Sequence, residues 1–128
     1  MLKILLCLMV FASPALAQEP MNATQFETYV EGRTITFLYP GGSTGTESYL
    51  TNRRVMWSSQ EGICLYGVWY ASKGDICFRY DHDPIPKCWR VYLEPDGMRS
   101  IFTNNPPYTE IYEMRDRTDP LICHDLNS

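Results

Sequence analysis

The side chains best equipped for chemistry in this chain are its five cysteines. Cys64, Cys77, Cys88 and Cys123 follow an apolar leader that holds Cys7. Thiolates either bind metal or couple to one another, and spacing separates the two uses. Zinc wants C-x-x-C pairs or closely spaced histidines, and the sequence offers neither. An even set of cysteines behind an export leader reads as disulfides, because the compartment is oxidising and a small chain has a limited core. No metal or cofactor is expected.

Other constellations are weaker. Asp81-His82-Asp83 puts an imidazole between carboxylates, a pattern able to hold a divalent ion or move a proton. It lies beside Pro84-Ile-Pro86, so it reads first as a solvated hairpin tip of turn-forming residues. His124 is the second of two histidines, and both fall in loops. No G-x-S-x-G or other nucleophile pattern accompanies them, and a triad needs its base and nucleophile on a rigid frame. Gly41-Gly-Ser-Thr-Gly45 lacks the lysine of a phosphate loop and precedes no helix, so it reads as a turn. No enzyme is expected. The formal net charge is −4 and the basic residues are scattered, whereas a nucleic-acid surface gathers them on one face.

The aromatics are the more telling group. Trp57, Tyr66, Trp69, Tyr70, Phe78, Tyr80, Trp89 and Tyr92 concentrate around residues 57–92. They read first as core, since a small barrel is often filled by its own side chains. Alternatively they line an apolar pocket whose polar tips orient a ligand. On that alternative Trp69, Phe78, Tyr80 and Trp89 are the candidate ligand-binding residues.

The elements that must position these residues follow from periodicity. Lys3, the apolar run Ile4 to Ala12 and Ala15-Leu16-Ala17 have the form of a signal peptide cleaved after Ala17. The run is too short for a spanning helix, which needs ~20 apolar residues, and Leu5-Leu6 before Cys7 is a poor lipid-anchor site. Gln18 to Ser128 is then a single domain. Asn22 to Gly32 reads as a short helix, capped by the Thr24 and Glu27 spacing and ended by Gly32. Its Phe26, Tyr29 and Val30 share a face that must dock on one end of a β-structure.

Beyond Gly32 the period changes to alternation. Strands are expected at 34–39, 47–51, 54–58, 63–71, 75–81, 87–94, 98–103 and 109–115. Residues 63–71 are apolar on both faces, as in a strand covered on each side or crossing a barrel. Turn signals every ~8–12 residues predict a small all-β domain, an antiparallel up-and-down barrel or sandwich of about eight strands with a short N-terminal helix. Ile76, Phe78 and Tyr80 share one face with Cys77 opposite; Trp89, Val91 and Leu93 share one face with Cys88 opposite. Cys77 and Cys88 therefore have the parity of a cross-strand bridge. That pairing leaves Cys64–Cys123, which ties the tail to the centre.

Gly67-Val-Trp-Tyr, Gly74-Asp-Ile-Cys-Phe-Arg-Tyr and Lys87-Cys-Trp-Arg-Val resemble a pattern shared by small secreted bacterial proteins of unknown function: G-x-W, then I/L-C-F-x-Y, then C-W. The resemblance implies a bacterial origin and a periplasmic or secreted location, with Asn22-Ala-Thr24 an incidental sequon. A looser similarity runs to calycin-type barrels, the lipocalin-like proteins and periplasmic metalloprotease inhibitors, although there G-x-W lies on the first strand. It implies a shared architecture. The functional expectation is a non-enzymatic binding module for an apolar or envelope-derived small molecule. The alternative is a protein–protein module, such as an inhibitor of an envelope enzyme, working through its N-terminal segment or the tip at residues 81–86. Neither a nucleic-acid partner nor a membrane span is expected.

Overall fold

The structure, a computed structural model, describes residues 9–106 and 108–124. Lys3 and Cys7 of the expected leader lie outside the described residues. A helix, α1 (Ala23–Val30), precedes strands β1 (Thr34–Leu38), β2 (Thr44–Tyr49), β3 (Arg54–Ser59) and β4 (Cys64–Ser72). Then come β5 (Asp75–Tyr80), β6 (Lys87–Glu94), β7 (Gly97–Phe102) and β8 (Glu110–Glu113). Each strand pairs antiparallel with the next, and β8 returns to β1 through Phe37 opposite Glu113 and Leu38 opposite Tyr112. The result is a closed eight-stranded barrel, the arrangement that leaves no strand edge unpaired.

Alternation decides what enters the barrel. On β5 and β6 the register sets Ile76 opposite Trp89 inside and Cys77 opposite Cys88 outside. The Cys77–Cys88 Cα atoms are 4.0 Å apart and the disulfide is formed. Cys64 bonds Cys123 with Cα atoms 5.3 Å apart. Of the two readings of β4 the structure shows the second, a strand of the closed barrel: Trp69 is buried inside, and Tyr66 on the outer face is 54% exposed. Leu93, placed with Trp89 and Val91 by alternation, is exposed at the strand's end.

β2 is buried along its whole length although it reads Thr-Gly-Thr-Glu-Ser-Tyr. Its outer hydroxyls bond across strands, Thr36 to Thr46 at 3.0 Å and Thr34 to Ser48 at 2.7 Å. The C-terminal tail then crosses this polar ladder. The Asp119 amide donates to the Thr36 hydroxyl at 2.7 Å, the Thr44 hydroxyl donates to Asp119, and Ser58 and Ile122 exchange hydrogen bonds. Cys123 anchors the tail at the start of β4.

The helix closes one end of the barrel. Its cap is Asn22, whose side chain accepts from the Gln25 amide while Gln25 reaches back to the Asn22 amide. The expected Thr24/Glu27 box is therefore replaced by the same reciprocal device two residues earlier. The reason is packing: this phase buries Phe26 and Val30 and frees Glu27 to meet Arg53 at 3.3 Å. Gly32, at φ 78°, turns the chain in the left-handed conformation that glycine allows, and its amide bonds the Tyr49 carbonyl at 2.8 Å. Phe26 packs edge-on against Trp69 at 5.0 Å and Tyr49 at 5.7 Å.

Candidate ligand cavity

Because connections in a meander alternate between ends, the loops after β1, β3, β5 and β7 gather at the end opposite the helix. Beneath them lies a cavity of about 390 Å³, within the range of roughly 300–1,000 Å³ that small-molecule sites occupy. Both readings of the aromatics hold in part: Trp69 and Phe78 belong to the buried core and Tyr80 and Trp89 pack against it, yet the side chains leave this space open beside them. Ser100, a small residue at an inward position of β7, lines this space where a bulky side chain would occupy it. At Gly45 a Cβ would stand 2.8 Å from the Trp57 indole nitrogen, so glycine lets that ring lie flat to the wall.

Phe26 contributes to the floor, with Val91 and Met98 beside it. Higher up the walls are Phe37, Phe78, Trp89 and Ile111, and Tyr39, Leu65 and Phe102 line the cavity nearer the loops. Asp83 and Lys87, joined at 2.9 Å, stand at the mouth. Of the four residues expected to meet a ligand, Phe78, Tyr80 and Trp89 line this space. Trp69 does not: it lies on the closed side, between Phe26 and the Arg53 guanidinium, which sits 4.4 Å over its ring.

The sequence reading missed the cavity's main polar group. Glu47 projects inward from β2, directly across from Trp57 on β3, and is 3% exposed. The Tyr80 hydroxyl donates to it, 3.2 and 3.1 Å from its carboxyl oxygens. Burial pushes this carboxyl from the ordinary 4.5 up to about 8, with the Tyr80 hydrogen bond pulling the other way. Burial likewise pushes Tyr39 up to about 12, reinforced by Glu47. Tyr49 and Tyr80 are raised well above the ordinary phenol, first by burial and then by Glu47. The cavity at neutral pH is therefore an apolar chamber with an acid and three neutral phenols. The signal that could have found Glu47 is its alternation with Gly45 and Tyr49, opposite Ile35 and Phe37 of β1.

The Asp81-His82-Asp83 tip is explained locally. His82 takes φ 66° in the turn, and Asp83 accepts from the Ile85 amide at 2.9 Å and from Lys87. Lys87 first, and that amide next, hold the Asp83 carboxyl below its ordinary range. Among the described residues no group of three or more His, Cys, Asp or Glu converges as a metal site would. Nor does any described helix have the length and apolarity to cross a membrane.

Comparison with known proteins returned no match: no family model, curated protein or solved structure matches the chain.

Proposed function

We propose that this protein is a secreted or periplasmic, non-enzymatic binding module that carries an apolar small molecule inside its barrel. The observation that carries this reading is the cavity itself, apolar on nearly every wall and holding one buried carboxyl. Small-molecule sites have this composition: an apolar lining gives affinity and a few placed polar groups give orientation. The closed meander also supports the architectural likeness to calycin-type barrels, though fold alone does not assign a ligand.

The test is titration with the neutral, polarity-sensitive probe prodan. A saturable, blue-shifted emission at one probe per chain is expected, weakened by Phe78→Ala. Emission that rises linearly without saturation would remove the reading. Location is tested by fractionating the native cells and weighing the mature chain, which should begin at Gln18.

A second reading is favoured by the rim. Ile63, Ile85 and Tyr108 are exposed on three loops around the one mouth, and apolar residues gathered there fit a protein partner such as an envelope enzyme. Ile85→Asp should then abolish capture of that partner while leaving prodan binding unchanged.

A further inference from the structure

Glu47 narrows the ligand further. Several acids elsewhere on the barrel are given cations by the fold: Arg33 meets Glu113, Arg99 meets Glu94 and Glu110, and Arg90 meets Asp75. Glu47 is as deeply buried as any of them, yet among the described residues its side-chain partner is one phenol. An ionised carboxylate has about four acceptor positions, and one hydroxyl cannot fill them. Lys87, which lines the same cavity, is engaged by Asp83 at the mouth.

The surroundings of the carboxyl are equally specific. Trp57 is its cross-strand partner, Tyr49 lies two residues along the same inner face, and Tyr80 bonds it from β5. With Tyr39 these rings line the cavity that Glu47 faces. Aromatic faces attract cations through their quadrupole, most strongly where water is excluded. A carboxylate walled by such faces is complementary to a positive group that also donates hydrogen bonds.

We infer that the cavity takes an amphiphilic amine, its ammonium seated against Glu47 between Trp57 and Tyr80 and its alkyl or aryl body in the apolar interior above Phe26. This rests on the cavity being a binding site. Ammonium donors satisfy the carboxylate's acceptors, and the opposite charge compensates for desolvation that no protein cation offsets. A carboxylate ligand would meet a like charge or a neutral acid, and an alcohol would gain one hydrogen bond without the Coulomb attraction.

A proton balance follows. Below about 8 the free site holds a proton on Glu47, and the incoming ammonium displaces it to solvent. The titratable groups facing Glu47 are Tyr39 after β1, Tyr49 on β2 and Tyr80 on β5. All three are raised, so they stay neutral through this range. Trp57 on β3 does not titrate, and Lys87 and Asp83 pair with each other at the mouth.

The experiment is calorimetry of the whole oxidised protein with naphthylethylamine, naphthylethanol and naphthylacetate, with prodan displacement alongside. The amine should bind at least about tenfold more tightly than the alcohol at pH 8, with the acid weakest. Repeating the titration at pH 6.5 in buffers of different ionisation enthalpy should show about one proton released per amine bound, and none with the alcohol. Glu47→Gln should remove the amine's advantage over the alcohol together with the proton release. If prodan binds and the alcohol equals or exceeds the amine, the amine inference is overturned and the cavity reading stands. If neither prodan nor any of the naphthyl compounds binds, both fall. The proton count on the unmodified protein decides the matter even if Glu47→Gln does not fold.

Discussion

At the helix end of the barrel Glu113 meets the Arg33 guanidinium at 3.0 Å, the Tyr29 hydroxyl at 2.7 Å and the Met98 amide at 2.8 Å. Towards the mouth Glu47, comparably buried, meets Tyr80 alone among the described side chains. The two carboxyls come from inner faces of the same barrel, so the fold can place cations beside a buried acid. At Glu113 a guanidinium, a phenol and an amide join the helix, β7 and β8 into one closed end. At Glu47 a single phenol leaves the acid with spare capacity inside a cavity. A buried carboxyl with its partners supplied by the fold serves the fold, and one without them is available to something else.

The largest test of this contrast is pH. Glu47 has its folded pKa raised to about 8 from 4.5. In the folded chain it keeps its proton where the unfolded chain has lost it, so unfolding releases a proton between those values. Its stabilising contribution is complete below 4.5 and is lost as pH rises through 8. Urea unfolding at about pH 5 and pH 8 should show the unmodified protein losing on the order of 4 kcal/mol that Glu47→Gln retains. Parallel pH curves for the two proteins would break the comparison.

Phe26→Ala comes next, because that ring is both the floor of the cavity and the contact that docks the helix. It should cost about 3–5 kcal/mol in unfolding free energy, whereas Trp89→Ala on the half-buried wall should cost less than half as much. Equal losses would mean that the two ends do not differ in the way proposed. Glu113→Ala leaves the Met98 amide and the Tyr29 hydroxyl without their acceptor, at about 1–3 kcal/mol for an unsatisfied buried group. Arg33 is 43% exposed, so water screens its share. The loss should appear as a lower denaturation midpoint with prodan affinity unchanged. The smallest effect lies far from either acid: Lys73 and Gly74, at φ 51° and 81°, form the β4–β5 hairpin turn. Asn tolerates that conformation better than Lys, so Lys73→Asn should raise the midpoint by about 0.5 kcal/mol equivalent.

The sequence made much of the closed end legible and little of the mouth. Strand faces from Ile76 to Leu93 could be assigned because Ile, Phe and Trp alternate with charged residues, and the cysteine parity followed from that. Glu47 escaped because the inner face of β2 carries Gly45, Glu47 and Tyr49 where branched or aromatic side chains are expected, and its outer face is polar too. Its outer hydroxyls are buried by a tail more than sixty residues away in the chain, and no local period encodes such cover. The helix cap was misplaced because two capping pairs overlap, Asn22 with Gln25 and Thr24 with Glu27, and only the packing of Phe26 and Val30 chooses between them. Trp69 and Phe78 look alike in sequence, both inner-facing aromatics, yet one lies under the helix and the other lines the cavity.

The tail that crosses β1 to β3 has a further consequence for how the chain is made. The first strands synthesised expose a row of hydroxyls whose cover is contributed by residues 119–122, and the seam of the cylinder needs β8. A nascent chain that stops short of residue 110 is therefore unsealed and wet along one side, however well its centre has formed. Closure has to wait until residues 110–123 have been made, and the Cys64–Cys123 bond then works as a latch on the tail.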